Sequence, residues 1–182
     1  DIGSLLVELA LDQRKVVRLK GGDPLIFARL SEELLPLLRA SIPYELVPGV
    51  SSVTAAACAG SLPLSMRGVS DRLVLVSGWD SRETRLPPYD AQQTVVIFMG
   101  LETVEHWTAD ALSQGYPADL PCFVCAQSSW KNQKQLKTML SALPLAVKQA
   151  SLQSPALFYL GWVVAELETR ISAQTPSNQA AS

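Results

Sequence analysis

The segment Lys15–Pro24 sets the tightest limit on the folds open to this chain. A short β-branched run at 16–19 is stopped abruptly by Gly21-Gly22-Asp23-Pro24. The run is typical of a buried strand, and the glycines permit positive φ and a close approach of the backbone to a ligand. In open α/β sheets, ligands bind at the carboxyl ends of strands. The segment therefore predicts a strand followed either by a ligand-binding loop or by an ordinary turn.

Helical and strand-like patterns alternate along the chain, which is typical of α/β proteins. The predicted helices are 2–13, 31–40, 53–59, 102–114, 134–142 and 163–170. The predicted strands are 16–19, 44–47, 73–77, 95–99, 123–126 and 156–160. A break with glycines and a proline at 60–71 predicts two domains, 1–70 and 71–173. The polar residues 174–182 predict a disordered tail.

Composition argues against several kinds of partner. The net charge is −2 without a basic run, so no nucleic-acid partner is indicated. No apolar stretch reaches the roughly 18 residues that a membrane span needs. A zinc site takes about four ligands, whereas this sequence offers Cys58, Cys122, Cys125 and one histidine, His106. We therefore expect no metal, and reduced cysteines in a cytoplasmic protein.

Several blocks, all in register, resemble the tetrapyrrole methylase family, and within it the uroporphyrinogen-III C-methyltransferases. The blocks are Val17–Phe27 with Arg29 and Glu32-Glu33, then Ile42–Glu45, Val47–Ser52 and Ala59–Leu64. The match is strong over 15–68, and it continues more weakly to about 165. Several collinear blocks are far more specific than the Gly-Gly-Asp-Pro loop alone.

The resemblance implies two α/β domains, the first truncated and the second built on a mixed sheet flanked by helices. It also implies S-adenosylmethionine as methyl donor, folded into a cleft between the domains. The positions that match the family's cofactor contacts are Gly21, Gly22, Asp23, Ile26, Ser51, Ser52, Met99, Ser128, Pro155 and Ala156. From the residues alone, Met99 is equally a core side chain at a strand end, and the two serines are equally helix caps.

The family's substrate is a tetrapyrrole with eight carboxylates, and its arginine positions correspond to Arg29 and Arg67. The planar fork of arginine suits carboxylates, so the resemblance implies substrate contact at both positions. From the residues alone, each is equally a solvated surface arginine. The family forms homodimers, and we expect a homodimer here.

The sequence also departs from the family pattern. The acidic and lysine residues assigned to proton transfer precede the region that matches, so we assign no catalytic residue. Met66 and Trp79 stand where histidines are usual. Two alternatives therefore stay open: another precorrin methylase of the same superfamily, or an inactive fragment or homologue that acts by ligand binding or dimerisation.

Overall fold

The computed structural model describes residues 1–79, 86–166 and 169. It divides into two compact units, Asp1–Ser52 and Val53–Ser182, which are described separately below. The predicted tail at 174–182 lies outside the described residues. Across the described ranges, no helix combines the length and the apolar character needed to cross a membrane.

The first unit contains two helices, α1 (Ile2–Leu11) and α2 (Leu30–Arg39). Asp1 caps α1, because its Oδ1 accepts a hydrogen bond from the Ser4 amide at 2.7 Å. Gly3 lets the two helices approach closely, since a Cβ at that position would lie 2.7 Å from Cγ of Pro36. The pair forms a helical platform beside the Gly-Gly-Asp-Pro loop.

The two strands predicted in this unit, 16–19 and 44–47, are wrong: both segments are irregular. A β-branched run favours an extended backbone, but a strand also needs a hydrogen-bonded neighbour. No other segment within the described ranges pairs with either run. Their side chains are correspondingly open to solvent, with Val17 73% and Val47 70% exposed.

The second unit is built on a mixed sheet. Its strands are β1 (Arg72–Ser77), β2 (Gln93–Phe98), β3 (Pro121–Ala126), β4 (Lys134–Met139) and β5 (Ala156–Leu160). Their spatial order is β1-β2-β5-β3-β4, in which β1 and β2 are parallel and the other neighbours are antiparallel. The flanking helices are α3 (Ser52–Ala59), α4 (Val104–Ser113) and α5 (Leu143–Gln149). The predicted mixed sheet with flanking helices is confirmed.

The three central strands, β2, β5 and β3, are buried on both faces. One face packs against Trp107 of α4, which is fully buried beside Phe158. The other face packs against α3, and Tyr159 on that face donates from its hydroxyl to the carbonyl of Val53 at 2.7 Å. Because α3 is anchored in this way, the second unit begins at Val53, earlier than the predicted domain boundary near residue 70. That domain boundary stays a prediction.

The helix predicted at 134–142 is wrong, because the segment forms β4 and then a 3₁₀ turn, Leu140–Ala142. Strand β4 pairs with β3 along its whole length, from Lys134 opposite Ala126 to Met139 opposite Pro121. This long-range pairing overrides a weak local preference. The next helix, α5, begins only after the turn. The helix predicted at 163–170 is present at 163–166, and part of its remainder lies outside the described residues.

Candidate functional site

In the first unit, the Gly-Gly-Asp-Pro loop lies against the Pro48-Gly49 turn. Gly22 adopts φ +125°, a conformation that favours glycine. A Cβ on Gly49 would lie 2.6 Å from the carbonyl oxygen of Gly22, so a side chain at that position would force the two segments apart. The two segments thus form one close-packed backbone assembly, to which both glycines are necessary.

Asp23 joins the same two segments through its carboxylate. Its Oδ1 accepts a hydrogen bond from the Leu25 amide at 2.8 Å, and its Oδ2 accepts one from the Gly49 amide at 3.2 Å. An ionised carboxylate has about four acceptor positions, so roughly two remain for the amine or hydroxyl groups of a ligand. Gly21 is exposed, and a Cβ on it would meet nothing within 4 Å. The loop therefore has both open space and acceptor capacity.

The other predicted cofactor positions of this unit lie in or directly beside the assembly. Ser52 begins α3, and its amide nitrogen is 3.9 Å from the place that a Cβ on Gly22 would occupy. Ser51 precedes it and is half-buried. Ile26 is half-buried three residues after the loop's aspartate. The structure thus brings Gly22, Asp23 and Ser52 close together.

Arg29 is already occupied. It precedes α2 with φ +55°, and its guanidinium makes two hydrogen bonds to the carboxylate of Glu32, at 2.7 Å and 2.6 Å. These hydrogen bonds lower the pKa of Glu32 and raise that of Arg29. The side chains are 78% and 56% exposed, so the pair is a surface ion pair of small net stability. A substrate carboxylate would compete with Glu32 for the guanidinium.

Sequence reasoning overlooked the role of Glu33. Its carboxylate is buried and accepts from the Lys20 ammonium at 2.9 Å and from the Arg18 guanidinium at 3.1 Å. The pKa of Glu33 is lowered, first by the hydrogen bond from Lys20 and then by that from Arg18, against a rise due to burial. In the sequence, this contact is signalled only by the two basic residues shortly before the glycines, Arg18 and Lys20, and by a carboxylate in the next helix.

In the second unit, four predicted cofactor positions share one edge of the sheet. Met99 follows β2, Ser128 follows β3 by two residues, and Pro155-Ala156 lead into β5. The register places Phe98 opposite Leu157 and Ala126 opposite Ala156, so the ends of β2 and β3 meet the start of β5. Residues far apart in the sequence are thus gathered at the carboxyl ends of β1, β2 and β3.

The backbone at this edge is tightly packed around Met99. The Gly78 amide donates to the Phe98 carbonyl at 2.7 Å, and a Cβ on Gly78 would lie 2.7 Å from the Cα of Gly100. The indole nitrogen of Trp107 donates to the Gly100 carbonyl at 2.9 Å. Met99 itself adopts φ +53° and is 45% exposed, which is unusual for a core residue. The core-residue interpretation of Met99 is therefore wrong.

Gln127 holds the loop of Ser128 to the start of β5. It has φ +53°, its amide donates to the Pro155 carbonyl at 2.7 Å, and its side chain donates to the Ser154 carbonyl at 3.3 Å. The Ser128 hydroxyl is buried and makes no hydrogen bond of ordinary geometry to the described residues. Burial raises the pKa of the neighbouring Cys125 thiol, and a weak contact with this hydroxyl acts against the rise. Ser128 therefore retains hydrogen-bonding capacity at the edge.

Other candidate residues lie elsewhere. Arg67 is exposed in a turn closed by pairing of Met66 with Ser70, and the Ser70 hydroxyl lies 2.7 Å from that of Thr94, near the amino end of β2. This turn is attached at the edge opposite Met99.

Among the cysteines, Cys122 and Cys125 belong to the clusters on opposite faces of the sheet, so they cannot chelate one ion together. The described residues contain no group of potential metal ligands.

Comparison with known proteins agrees with this architecture. The family model for tetrapyrrole (corrin/porphyrin) methylases matches residues 1–144. A uroporphyrinogen-III C-methyltransferase of Paracoccus denitrificans is 37% identical over 172 residues, which are 92% of this chain and 60% of that protein. A siroheme synthase of Methylococcus capsulatus is 35% identical over 170 residues, which are 90% of this chain and 36% of that protein. The chain thus spans less than two thirds of the length of these relatives.

A solved structure gives the same fold. It is the uroporphyrin-III C-methyltransferase of Thermus thermophilus in complex with S-adenosylhomocysteine, 32% identical, with a TM-score of 0.74 over 90% of this chain and 73% of that one. Sequence blocks, fold and family model therefore agree. The chain belongs to the tetrapyrrole (corrin/porphyrin) methylases.

Proposed function

We propose that this chain is part of an S-adenosylmethionine-dependent methyltransferase that converts uroporphyrinogen III into precorrin-2, for sirohaem or cobalamin synthesis. The name of the Paracoccus relative supports the reaction, and the Methylococcus relative supports the sirohaem branch. The S-adenosylhomocysteine complex of the Thermus protein supports the cofactor, because S-adenosylhomocysteine is what remains after methyl transfer.

One structural observation supports the proposal most strongly. Met99, Ser128, Pro155 and Ala156 are scattered over the sequence, yet the strand register gathers them at one edge of the sheet. That edge is where open α/β sheets bind ligands. Met99 lies there with a side chain that is 45% exposed and is therefore open to a ligand.

The proposed cofactor contacts are carboxylate, hydroxyl and backbone groups. Asp23 offers its remaining acceptor positions to hydroxyl or amine groups, and Gly21 and Gly22 allow the backbone to approach the ligand. The hydroxyl of Ser128 and the strand-end backbone offer hydrogen bonds at the sheet edge. The complete set is Gly21, Gly22, Asp23, Ile26, Ser51, Ser52, Met99, Ser128, Pro155 and Ala156. Arg29 and Arg67 are the proposed contacts to substrate carboxylates. Family register alone supports Arg67, because its turn is attached at the sheet edge opposite Met99.

S-Adenosylmethionine, when bound, supplies a methyl group on a positively charged sulfur, an electrophile that needs no further activation. The residues of this chain would fix its position and hold the substrate carbon in line with it. After the methyl group has been transferred, the methylated tetrapyrrole would lose a proton, and we assign no residue of this chain as the base. Catalysis by these residues is therefore mainly alignment within a fixed electrostatic environment.

A second candidate is another precorrin methylase, favoured by Met66 and Trp79 at positions where this enzyme family usually has histidines. The full-length protein should be incubated with S-adenosylmethionine and uroporphyrinogen III, and the products identified by mass. Addition of two methyl groups, as precorrin-2 requires, supports the first proposal. Methylation of only a later precorrin favours the second candidate.

Calorimetric titration of the full-length protein with S-adenosylmethionine tests cofactor binding. We expect Asp23→Ala to weaken binding about tenfold, the effect of losing about 1.4 kcal/mol. Asp119→Ala is the matched control, since Asp119 is exposed and lies outside the proposed site. Absence of binding by the unaltered protein would refute the cofactor proposal and favour an inactive homologue.

We also propose that the protein is a cytoplasmic homodimer. Light scattering would measure the mass of the assembly and so test the oligomeric state.

A further inference from the structure

We propose that Glu33 is a positioning residue that fixes the Gly21–Asp23 loop through Lys20 and thereby sets its affinity for S-adenosylmethionine. The inference rests on the proposed function for its ligand. The anchoring of the loop, however, is a property of the ligand-free protein. Nothing in the family resemblance assigned a role to this carboxylate.

The first step is the burial of the ion pair. The side chains of Glu33 and Lys20 are 10% and 11% exposed, and their charged atoms are 2.9 Å apart. By contrast, the neighbouring Glu32 is 56% exposed and pairs with the exposed Arg29. Removing one partner from a buried pair leaves an uncompensated charge, which is far more unfavourable than the loss of a surface pair. Lys20 therefore depends on Glu33 to remain where it is.

The second step is the rigidity of the platform that carries Glu33. It lies in the first turn of α2, where a carboxylate is favoured by the helix dipole. Helix α2 packs closely on α1 at Gly3, where a Cβ would lie 2.7 Å from Pro36. Glu33 is thus a fixed acceptor, and Arg18 adds a second donor to it at 3.1 Å.

The third step is the covalent link to the loop. Lys20 directly precedes Gly21, and its carbonyl accepts a hydrogen bond from the Gly22 amide at 3.1 Å. On the other side of the loop, Asp23 accepts from the Gly49 amide. The glycines therefore lie between two anchors, Lys20–Glu33 and Asp23–Gly49. If the Lys20–Glu33 contact is lost, the Lys20 ammonium moves into water, and the start of the loop at Gly21 moves with it.

The test compares Glu33→Gln with Glu8→Gln in the full-length protein. Both variants remove one carboxylate, but Glu8 is exposed on α1. Without ligand, we expect Glu33→Gln to speed amide hydrogen exchange at Gly22 and Gly49, while Glu8→Gln leaves it unchanged. Unchanged exchange at both amides would overturn the anchoring, whether or not the protein binds S-adenosylmethionine.

The second measurement is calorimetry with S-adenosylmethionine. We expect Glu33→Gln to raise Kd about tenfold with an unchanged number of sites, and Lys20→Met to do the same. The double variant Lys20→Met/Glu33→Leu should be no worse than either single one, because both act through one contact. A lower number of sites with unchanged Kd would overturn the inference in favour of a folding role. If the unaltered protein does not bind S-adenosylmethionine, both the proposed function and the proposed effect of Glu33 on affinity are refuted. The hydrogen-exchange measurement still decides whether Glu33 anchors the loop.

Discussion

The two units hold their candidate ligand positions by different means. In the second unit, the edge that carries Met99 rests on central strands that are buried on both faces. In the first unit, the loop of Gly21 and Gly22 is held by a few polar contacts, while neighbours such as Val17 and Val50 are more than 70% exposed. Regions with few buried apolar contacts unfold locally at a low cost in free energy.

This difference indicates how the candidate ligand positions of each unit respond to change. At the sheet edge, geometry follows from core packing, so a substitution that moves a ligand group also destabilises the fold. In the loop, geometry follows from individual hydrogen bonds and ion pairs, so a substitution can loosen it while the sheet remains intact. Binding and stability should therefore be coupled in the second unit wherever a substitution moves the sheet edge, and separable in the first.

The largest effect is expected from Trp107→Ala. The side chain is fully buried, packs edge-on against Phe158, and holds the Gly100 carbonyl beside Met99. We expect a loss of about 3–5 kcal/mol in the free energy of unfolding, measured by denaturant titration. Trp130→Ala, at a 57% exposed position, is the control and should change it by less than about 0.5 kcal/mol. Similar losses in both variants would contradict the coupling of edge and core.

Gly49→Ala should loosen the loop with a smaller loss of stability. The new Cβ would lie 2.6 Å from the Gly22 carbonyl oxygen, so the two segments must separate. We expect local protection from hydrogen exchange to fall by about 1–3 kcal/mol at Gly22, with β2 and β5 unaffected. Gly21→Ala has open space and should leave that protection nearly unchanged. Reduced protection in the strands would show that the loop and sheet are not separable.

The sequence predicted the sheet better than the loop, for a physical reason. Apolar runs such as 95–99 and 156–160 report local burial, and both appear as strands. The runs at 16–19 and 44–47 each contain one charged residue, Arg18 and Glu45, and have no paired neighbour within the described ranges. Pairing is not a local property. Family register singled out Met99 and Ser128 as cofactor positions, and the strand pairing places both at one edge of the sheet. The buried contact of Glu33 with Lys20 depends on a helix approach that no periodicity encodes.

Acid should weaken the first unit through Glu33. Its pKa in the folded state is lowered from the usual 4.5 by the hydrogen bonds from Lys20 and Arg18. The folded form therefore binds fewer protons than the unfolded form in this range, so the stabilisation is complete above about 4.5 and is lost as the pH falls through the lowered value. Between pH 5 and 3, we expect the unaltered protein to lose more stability than Glu33→Gln, as measured by urea titration. Parallel pH profiles would show that Glu33 is not ion-paired in solution.

The smallest effect is expected from Ser128→Ala, and it separates ligand binding from stability within the second unit. Because the buried hydroxyl has no hydrogen bond of ordinary geometry, its removal should stabilise the fold by up to about 1 kcal/mol. Thr108→Val removes a similar buried hydroxyl on α4, at a residue that is not among the proposed cofactor contacts, and should have the same effect on stability. If Ser128 donates to the cofactor, only Ser128→Ala should weaken S-adenosylmethionine binding, about threefold to tenfold. A loss of stability in Ser128→Ala would instead show that the Ser128 hydroxyl already forms a hydrogen bond with the Cys125 thiol. In that case, the ligand would find mainly backbone groups as hydrogen-bonding partners at the sheet edge.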